Sequence, residues 1–131
     1  MIKTCKGLLM GFLLLMLVAC SGSPSASIRR VEQVGGQLHF ELRVRDAQGR
    51  LDALEIQLVD DDDVIIKVLE DIDGLTEEGT WQVTMSIIDV PDGSYRLLVL
   101  GDYTFEGTRY DAHLLTSQAI EIDHEAALHR P

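Results

Sequence analysis

Two aspartates in the middle of the chain are the residues best suited to bind a metal ion. Calcium binds about six to eight oxygen ligands, and Asp71-Ile-Asp73-Gly74 places two carboxylates beside a turn glycine. The fragment is not a complete EF-hand loop, because Leu69 and Thr80 occupy the positions of its first and last ligands. Two interpretations therefore remain: a calcium site at Asp71 and Asp73, or an acidic surface that is only solvated. The sequence identifies no definite metal ligand.

Residues 101–112 carry the side chains best suited to bind another protein. With Glu106-Gly107 as a two-residue turn, Tyr103 would face Tyr110 across two antiparallel strands. Tyrosine and arginine are enriched among the residues that dominate binding energies. Alternatively, the aromatic side chains only stabilise the hairpin and cap the core. The candidate binding surface comprises Tyr103, Phe105, Arg109 and Tyr110.

No set of residues in the chain predicts catalysis. His124 and His129 are five positions apart, whereas the zinc-protease motif needs histidines four apart. His39 and Glu41 lie on the polar side of an alternating segment and are typical of surface charges. Neither a nucleophile elbow nor a phosphate-binding glycine loop is present. We therefore expect that the protein is not an enzyme.

Cys20 is the residue whose setting is most specific. Two lysines precede the uncharged residues 8–18, and Ala19 stands directly before the cysteine. This is the order of a secretory signal, and the apolar run is too short to span about 30 Å of hydrocarbon as a helix. Leu17-Val18-Ala19-Cys20 resembles the lipobox of bacterial lipoproteins at all four positions. The resemblance implies cleavage after Ala19 and a diacylglycerol on the Cys20 sulfur.

The same resemblance implies where the mature chain resides. Ser21, directly after the cysteine, is compatible in a Gram-negative host with export to the outer membrane. Two or three acyl chains hold a protein stably on a bilayer. Cys5 leaves with the signal, so the mature chain has no thiol for a disulfide. We expect a lipid-anchored protein that faces the periplasm and binds an unidentified envelope protein.

The charge of the chain argues against nucleic acid as a partner. The whole chain has a net charge of −11. Loss of Lys3 and Lys6 with the signal leaves nine basic residues against 22 acidic ones, a net charge of −13. A body this acidic repels phosphate backbones.

Strands must position these candidate residues. Leu38, Phe40, Leu42 and Val44 alternate with polar residues, which is typical of a half-buried strand. Residues 64–69 are apolar on both faces. This favours either a buried strand or an edge strand guarded by Lys67 and the adjacent aspartates. A strand edge that accepts a partner's strand is the less favoured alternative. The predicted strands lie in residues 28–34, 37–46, 53–59, 64–69, 80–88, 94–105 and 108–122.

Asp92-Gly93-Ser94-Tyr95 resembles the entry to strand F of immunoglobulin and fibronectin type III domains. Tyr95 matches the tyrosine-corner position, whereas Leu97 stands where antibody domains carry their second cysteine. We therefore expect an all-β, immunoglobulin-like sandwich of about seven antiparallel strands, with a small Greek-key barrel as the alternative. The predicted segments are a helical signal peptide (1–19), a lipidated cysteine and flexible linker (20–27), the sandwich (28–123) and a short tail (124–131).

Alternate loops of an antiparallel sandwich lie at the same end. The candidate binding residues should therefore share one end with the acidic loops 46–52 and 70–79, while Asp60–Asp63 lie at the other. The expected function is non-catalytic recognition or assembly by a membrane-anchored module in the cell envelope. The alternative is a structural domain that responds to calcium.

Overall fold

The computed structural model describes residues 22–70 and 76–125, and the seven elements in these ranges are all β-strands. The predicted signal peptide, Cys20, Asp71 and Asp73 lie outside the described residues. The strands are β1 (Ser25–Val34), β2 (Gln37–Arg45), β3 (Leu51–Asp60), β4 (Ile65–Glu70), β5 (Gly79–Ser86), β6 (Gly93–Phe105) and β7 (Thr108–Ile122).

The strands form two antiparallel sheets, in the orders β1-β2-β5 and β4-β3-β6-β7. Both sheets contribute to one hydrophobic core, with Leu42 and Met85 from the first sheet and Ile56 and Leu97 from the second. The prediction of an all-β sandwich of seven antiparallel strands is therefore confirmed. The alternative of a barrel is wrong, because the strands of the two sheets do not join into one closed sheet.

Alternation of apolar and polar residues with a period of two is the reason that β2 is a strand. In β2, Leu38, Phe40, Leu42 and Val44 are at most 1% exposed, whereas Arg43 between them faces solvent. Removing a leucine or phenylalanine side chain from water stabilises the fold by about 1.5–3 kcal/mol, so this register is strongly preferred over its one-residue shift.

β1 begins three residues before the predicted start of the sandwich at residue 28. Residues 25–27 belong to the predicted flexible linker, but Ser25 pairs with Arg45 and Ser27 pairs with Arg43. Pro24 is buried and Ala26 packs against the core. Small polar side chains therefore do not stop this segment from completing a ladder of backbone hydrogen bonds.

β4 is an edge strand and is exposed. Val64, Ile65 and Val68 are 53%, 52% and 40% exposed. Lys67 forms an ion pair of 2.8 Å with Asp89, and hydrogen bonding to this lysine lowers the pKa of Asp89. The register shifts between β3 and β4, as in a β-bulge. Of the expected arrangements, the structure shows the edge guarded by a lysine and a neighbouring aspartate.

A tyrosine fixes the turn before β6. The hydroxyl of Tyr95 donates a hydrogen bond of 2.6 Å to the carbonyl oxygen of Pro91. The Tyr95 ring is buried, and this burial, with the nearby carboxylates of Asp60 and Asp92, raises the pKa of its hydroxyl. The hydrogen bond ties the start of β6 to the chain that arrives from β5.

The connections gather at two ends of the sandwich. At one end, the backbone N–H of Asp46 donates to Glu78 (3.2 Å), and Arg109 contacts Asp52. At the other end, the backbone N–H of Ile87 donates to the carbonyl of Gly36 at 2.8 Å. We call the first end the hairpin pole (46–50, 76–78 and 106–107) and the second the distal pole (35–36, 61–64 and 87–92).

Candidate functional site

The β6–β7 hairpin presents the candidate binding residues in the predicted register. Tyr103 pairs with Tyr110, Thr104 with Arg109 and Phe105 with Thr108. Glu106 and Gly107 have φ angles of 51° and 81°. Positive φ at both central residues is the geometry of a type I′ turn, whose twist matches that of the strands it joins.

Three aromatic rings form a cluster along the hairpin. The Tyr103 and Tyr110 rings stack with centroids 4.9 Å apart and an interplanar angle of 22°. The His113 ring meets both edge-on, 5.7 Å from Tyr103 and 5.1 Å from Tyr110. Offset stacking and edge-to-face contact are both favourable arrangements of aromatic side chains. The cluster fixes the position of Tyr110.

The two tyrosines have different environments. Tyr103 is 4% exposed and belongs to the core, and this burial, with Tyr110 beside it, raises the pKa of its hydroxyl. Tyr110 is only partly buried and lies on the edge strand β7. Tyr103 is therefore not available for direct contact with a partner, although it was among the predicted contact residues. It supports Tyr110 from within.

His113 joins the cluster because of a β-bulge that the sequence analysis did not predict. Without an irregularity, the register of the hairpin would place Ala112 opposite Gly101, but His113 occupies that position. Ala112 has a φ of 51°, and its N–H donates a hydrogen bond of 2.6 Å to Asp102. A bulge inserts one residue and moves later side chains to the opposite face of the sheet. Alternation of residue types alone does not reveal it.

Arg109 is held between two carboxylates. Its Nη1 lies 2.5 Å from Asp52 Oδ2, and its Nε lies 3.0 Å from Asp111 Oδ1. Hydrogen bonds to Asp52 and then to Asp111 raise the pKa of the guanidinium. All three side chains are largely exposed, so the ion pairs stabilise the fold little. Their effect is to hold Arg109 in place on the face of the hairpin opposite to the Tyr110 ring.

Phe105 links the hairpin to the β2–β3 turn. Its ring is partly buried against the core, and the Arg50 guanidinium carbon lies 5.1 Å from the ring centroid, a cation–π distance. Asp46, which is 5% exposed, accepts hydrogen bonds from the backbone N–H groups of Arg50 (2.8 Å) and Leu51 (2.9 Å). The Asp46 carboxylate therefore organises the turn that carries Arg50.

The described residues hold no further candidate for metal binding. Within 22–70 and 76–125, no three histidine, cysteine, aspartate or glutamate side chains are placed to hold a metal ion. The candidates Asp71 and Asp73 lie outside these ranges, as does Cys20. In the same part of the chain, no helix has the length and apolar character needed to cross a bilayer.

A cavity of about 350 Å³ between β1 and β7 is a feature that the sequence analysis missed. It opens where the edge strands of the two sheets approach each other. The alternation of apolar and polar residues in the sequence does not predict it. The cavity is lined by Val31, Glu32, Gln33, Leu38, Ala119, Ile120, Glu121 and Asp123.

Comparison with known proteins gives no match: no family model, no curated protein and no solved structure is similar to this chain. Functional inference therefore rests on the residues and geometry of the chain itself.

Proposed function

We propose that this protein is a lipid-anchored, non-catalytic recognition module of the bacterial cell envelope. The anchor is the acylated Cys20, supported by the match of Leu17-Val18-Ala19-Cys20 to a lipobox and by the uncharged run before it. Ser21 supports location on the outer membrane, with the sandwich in the periplasm.

We further propose that the sandwich is immunoglobulin-like, in the broad sense that includes fibronectin type III domains. The hydrogen bond from Tyr95 to Pro91 supports this proposal, since a tyrosine bonded back to the preceding corner is a hallmark of such domains. β3, β6 and β7 share a sheet, as strands C, F and G do. The fourth strand pairs with β3, whereas the constant-type domain places its fourth strand beside the fifth.

The recognition site is the hairpin surface, which we define as Phe105, Arg109 and Tyr110. The observation that carries this proposal is the support of a partly exposed Tyr110 by the buried Tyr103 ring, 4.9 Å away. A side chain already held in place loses little conformational entropy on binding. Tyr110 and Arg109 point to opposite faces of the hairpin, so a partner reaches both at the open edge of β7, and tyrosine and arginine are residue types enriched in interface hot spots.

The anchor is tested by intact-mass analysis of the protein from membranes, compared with the Cys20→Ala variant. We expect the wild type to begin at residue 20, to carry the mass of its acyl chains and to stay with the membrane fraction. The variant should lack the lipid mass and lose stable membrane association. A wild-type protein without lipid would refute the anchor.

The recognition site is tested by in-cell cross-linking and mass spectrometry of the captured proteins, comparing wild type with Tyr110→Ala. Ile88→Ala is the matched control, because Ile88 is 77% exposed at the distal pole. We expect a discrete partner with wild type and Ile88→Ala, and its loss with Tyr110→Ala. Equal capture by all three would show that the hairpin surface is not the site.

The calcium-responsive alternative depends on Asp71 and Asp73 and is the weaker proposal. Two carboxylates near the hairpin pole already have partners: Asp46 accepts two backbone hydrogen bonds, and Asp52 pairs with Arg109. This alternative predicts that millimolar calcium raises the melting temperature and that Asp71→Asn with Asp73→Asn removes the effect. An unchanged melting curve would eliminate it.

A further inference from the structure

The N-terminal segment leaves the sandwich at the hairpin pole. β1 starts at Ser25, which pairs with Arg45 at the end of β2, directly before the β2–β3 turn. A methyl group added to Gly22 would lie 3.2 Å from Gln48 Nε2, so the chain at Gly22 is packed on that turn. Pro24, between them, is buried. The segment from 22 onwards is therefore part of the folded body.

This packing leaves almost no spacer between the lipid and the domain. Cys20 and Gly22 are two residues apart, and an extended chain spans at most roughly 7 Å over that separation. The hairpin surface lies at the same pole, because Leu51, at the start of β3, pairs with Tyr103. The turn at Glu106 and Gly107 continues beyond that pair.

We propose that the hairpin surface lies at the membrane surface, and that its partner is a membrane-embedded protein whose aqueous segment it contacts beside the bilayer. This inference rests on the proposed acylation of Cys20. With the domain seated directly on its anchor, Arg109 and Tyr110 are confined to the layer next to the headgroups. A partner reaches them there if it is itself held in the bilayer.

Charge alone does not select the orientation. The distal pole carries Asp60–Asp63 and Asp89, and its cations Lys67 and Arg96 are paired with Asp89 and Asp63. The hairpin pole is acidic as well, with exposed Glu77, Glu78 and Glu106, and it carries the exposed Arg45 beside the point where the chain leaves. Anionic lipid headgroups attract arginine and repel carboxylates at either pole. The orientation is therefore set by the short connection to Cys20 at the hairpin pole.

The amphipathic character of the hairpin residues suits this layer as well. Tyrosine is enriched where membrane meets water, because its ring is apolar and its hydroxyl polar. Tyr110 is partly buried and partly accessible, and the charge of Arg109, on the opposite face of the strand, is offset by Asp52 and Asp111. The same features suit contact with the juxtamembrane segment of a membrane protein.

The orientation is measured by energy transfer on the acylated protein in phosphatidylcholine–phosphatidylglycerol vesicles. Glu106→Cys and Ile88→Cys variants are labelled with a donor dye, and the acceptor is a headgroup-labelled lipid. The introduced thiol is the only one, since acylation occupies the Cys20 sulfur and Cys5 is cleaved off. β3 runs from pole to pole over ten residues, so the label at 106 should lie closer to the lipid by about 30 Å.

A spacer variant is the matched control. Eight glycine and serine residues inserted between Ser21 and Gly22 should remove most of the difference between the two labels, because the domain is then free to tumble. A label at 106 that is as far from the lipid as the label at 88, in a protein shown by intact mass to be acylated, would overturn the inference. Absence of acyl mass would instead overturn the anchor proposal.

The class of partner is tested by photo-cross-linking in cells. The otherwise wild-type protein carries a photoreactive phenylalanine analogue at position 110. Mass spectrometry of the adduct should identify a protein with bilayer-embedded segments, cross-linked within a segment that adjoins the bilayer. The eight-residue spacer should lower the adduct yield several-fold. Adducts with lipid alone, or with a protein that has no membrane-embedded segment, would overturn this assignment.

Discussion

Replacing each tyrosine of the hairpin by alanine should have very different effects on stability. Tyr103 is 4% exposed within the core, so Tyr103→Ala removes a buried aromatic ring and should cost about 3–5 kcal/mol. Tyr110 is partly buried on the edge strand, and its main loss is the stacking at 4.9 Å, worth about 0.5–1.5 kcal/mol. A domain of this size has a total stability of about 5–15 kcal/mol, so the first variant can approach unfolding.

The free energy of unfolding is measured by urea titration, with the fluorescence of the single tryptophan, Trp81, as the signal. The double variant Tyr103→Ala/Tyr110→Ala completes a cycle. Because each single variant already abolishes the stacking, the double variant should be about 0.5–1.5 kcal/mol more stable than the sum of the single losses implies.

Equal costs for the two single variants would refute the assignment of Tyr103 to the core and of Tyr110 to the surface. A coupling energy near zero would refute the stacking. The experiment also selects the variant for binding studies, because Tyr110→Ala keeps the domain folded while it removes the exposed ring.

Three further predictions concern the core and its turns. Tyr95→Phe removes the hydrogen bond to Pro91 and should lower the free energy of unfolding, measured by urea titration, by about 0.5–1.5 kcal/mol. Tyr103→Phe should lower it less, because the Tyr103 hydroxyl has no hydrogen bond among the described residues. Burial raises the pKa values of Tyr95 and Tyr103, so their contribution to stability is complete below about pH 10 and is lost as the pH rises through the folded-state pKa values. The urea midpoint should fall with rising alkalinity, and Tyr95→Phe should make that fall shallower; an equally steep fall would contradict the assignment. Gly101→Ala places a Cβ 2.8 Å from Leu51 Cδ2 and should lower stability by about 1–3 kcal/mol, and an unchanged midpoint would show that the leucine moves aside without cost.

The strands and the hairpin register were predictable because they follow from local rules. Alternation in β2 fixes which face is buried, and the two-residue turn at Glu106 and Gly107 fixes that Tyr103 meets Tyr110. Tyr95 was predictable as the anchor of its turn because its position relative to Asp92 and Gly93 is characteristic.

The features of the structure that the sequence does not reveal depend on how the two sheets overlap and on where each strand lies in its sheet. Tyr103 and Tyr110 follow the same alternation, and only the position of β7 at the edge of its sheet makes one buried and the other accessible. The apolar run of β4 is typical of a buried strand, yet β4 lies at the other edge. The bulge at Ala112 changes the face of the residues that follow it, up to the second register shift near Leu115, and leaves no signature in composition.

The irregularities of β7 have a consequence for the proposed lipid anchor, which would crowd copies of the protein together in one plane. β7 has 15 residues against 13 in β6, and its register shifts twice, near Ala112 and near Leu115. A long, flat edge strand offers a continuous row of unpaired N–H and C=O groups, along which neighbouring copies can add edge to edge into aggregates. Lipid anchors confine molecules to a plane and raise their local concentration, which makes that hazard more acute. Two bulges interrupt the row, so that β7 does not present an uninterrupted template for self-association.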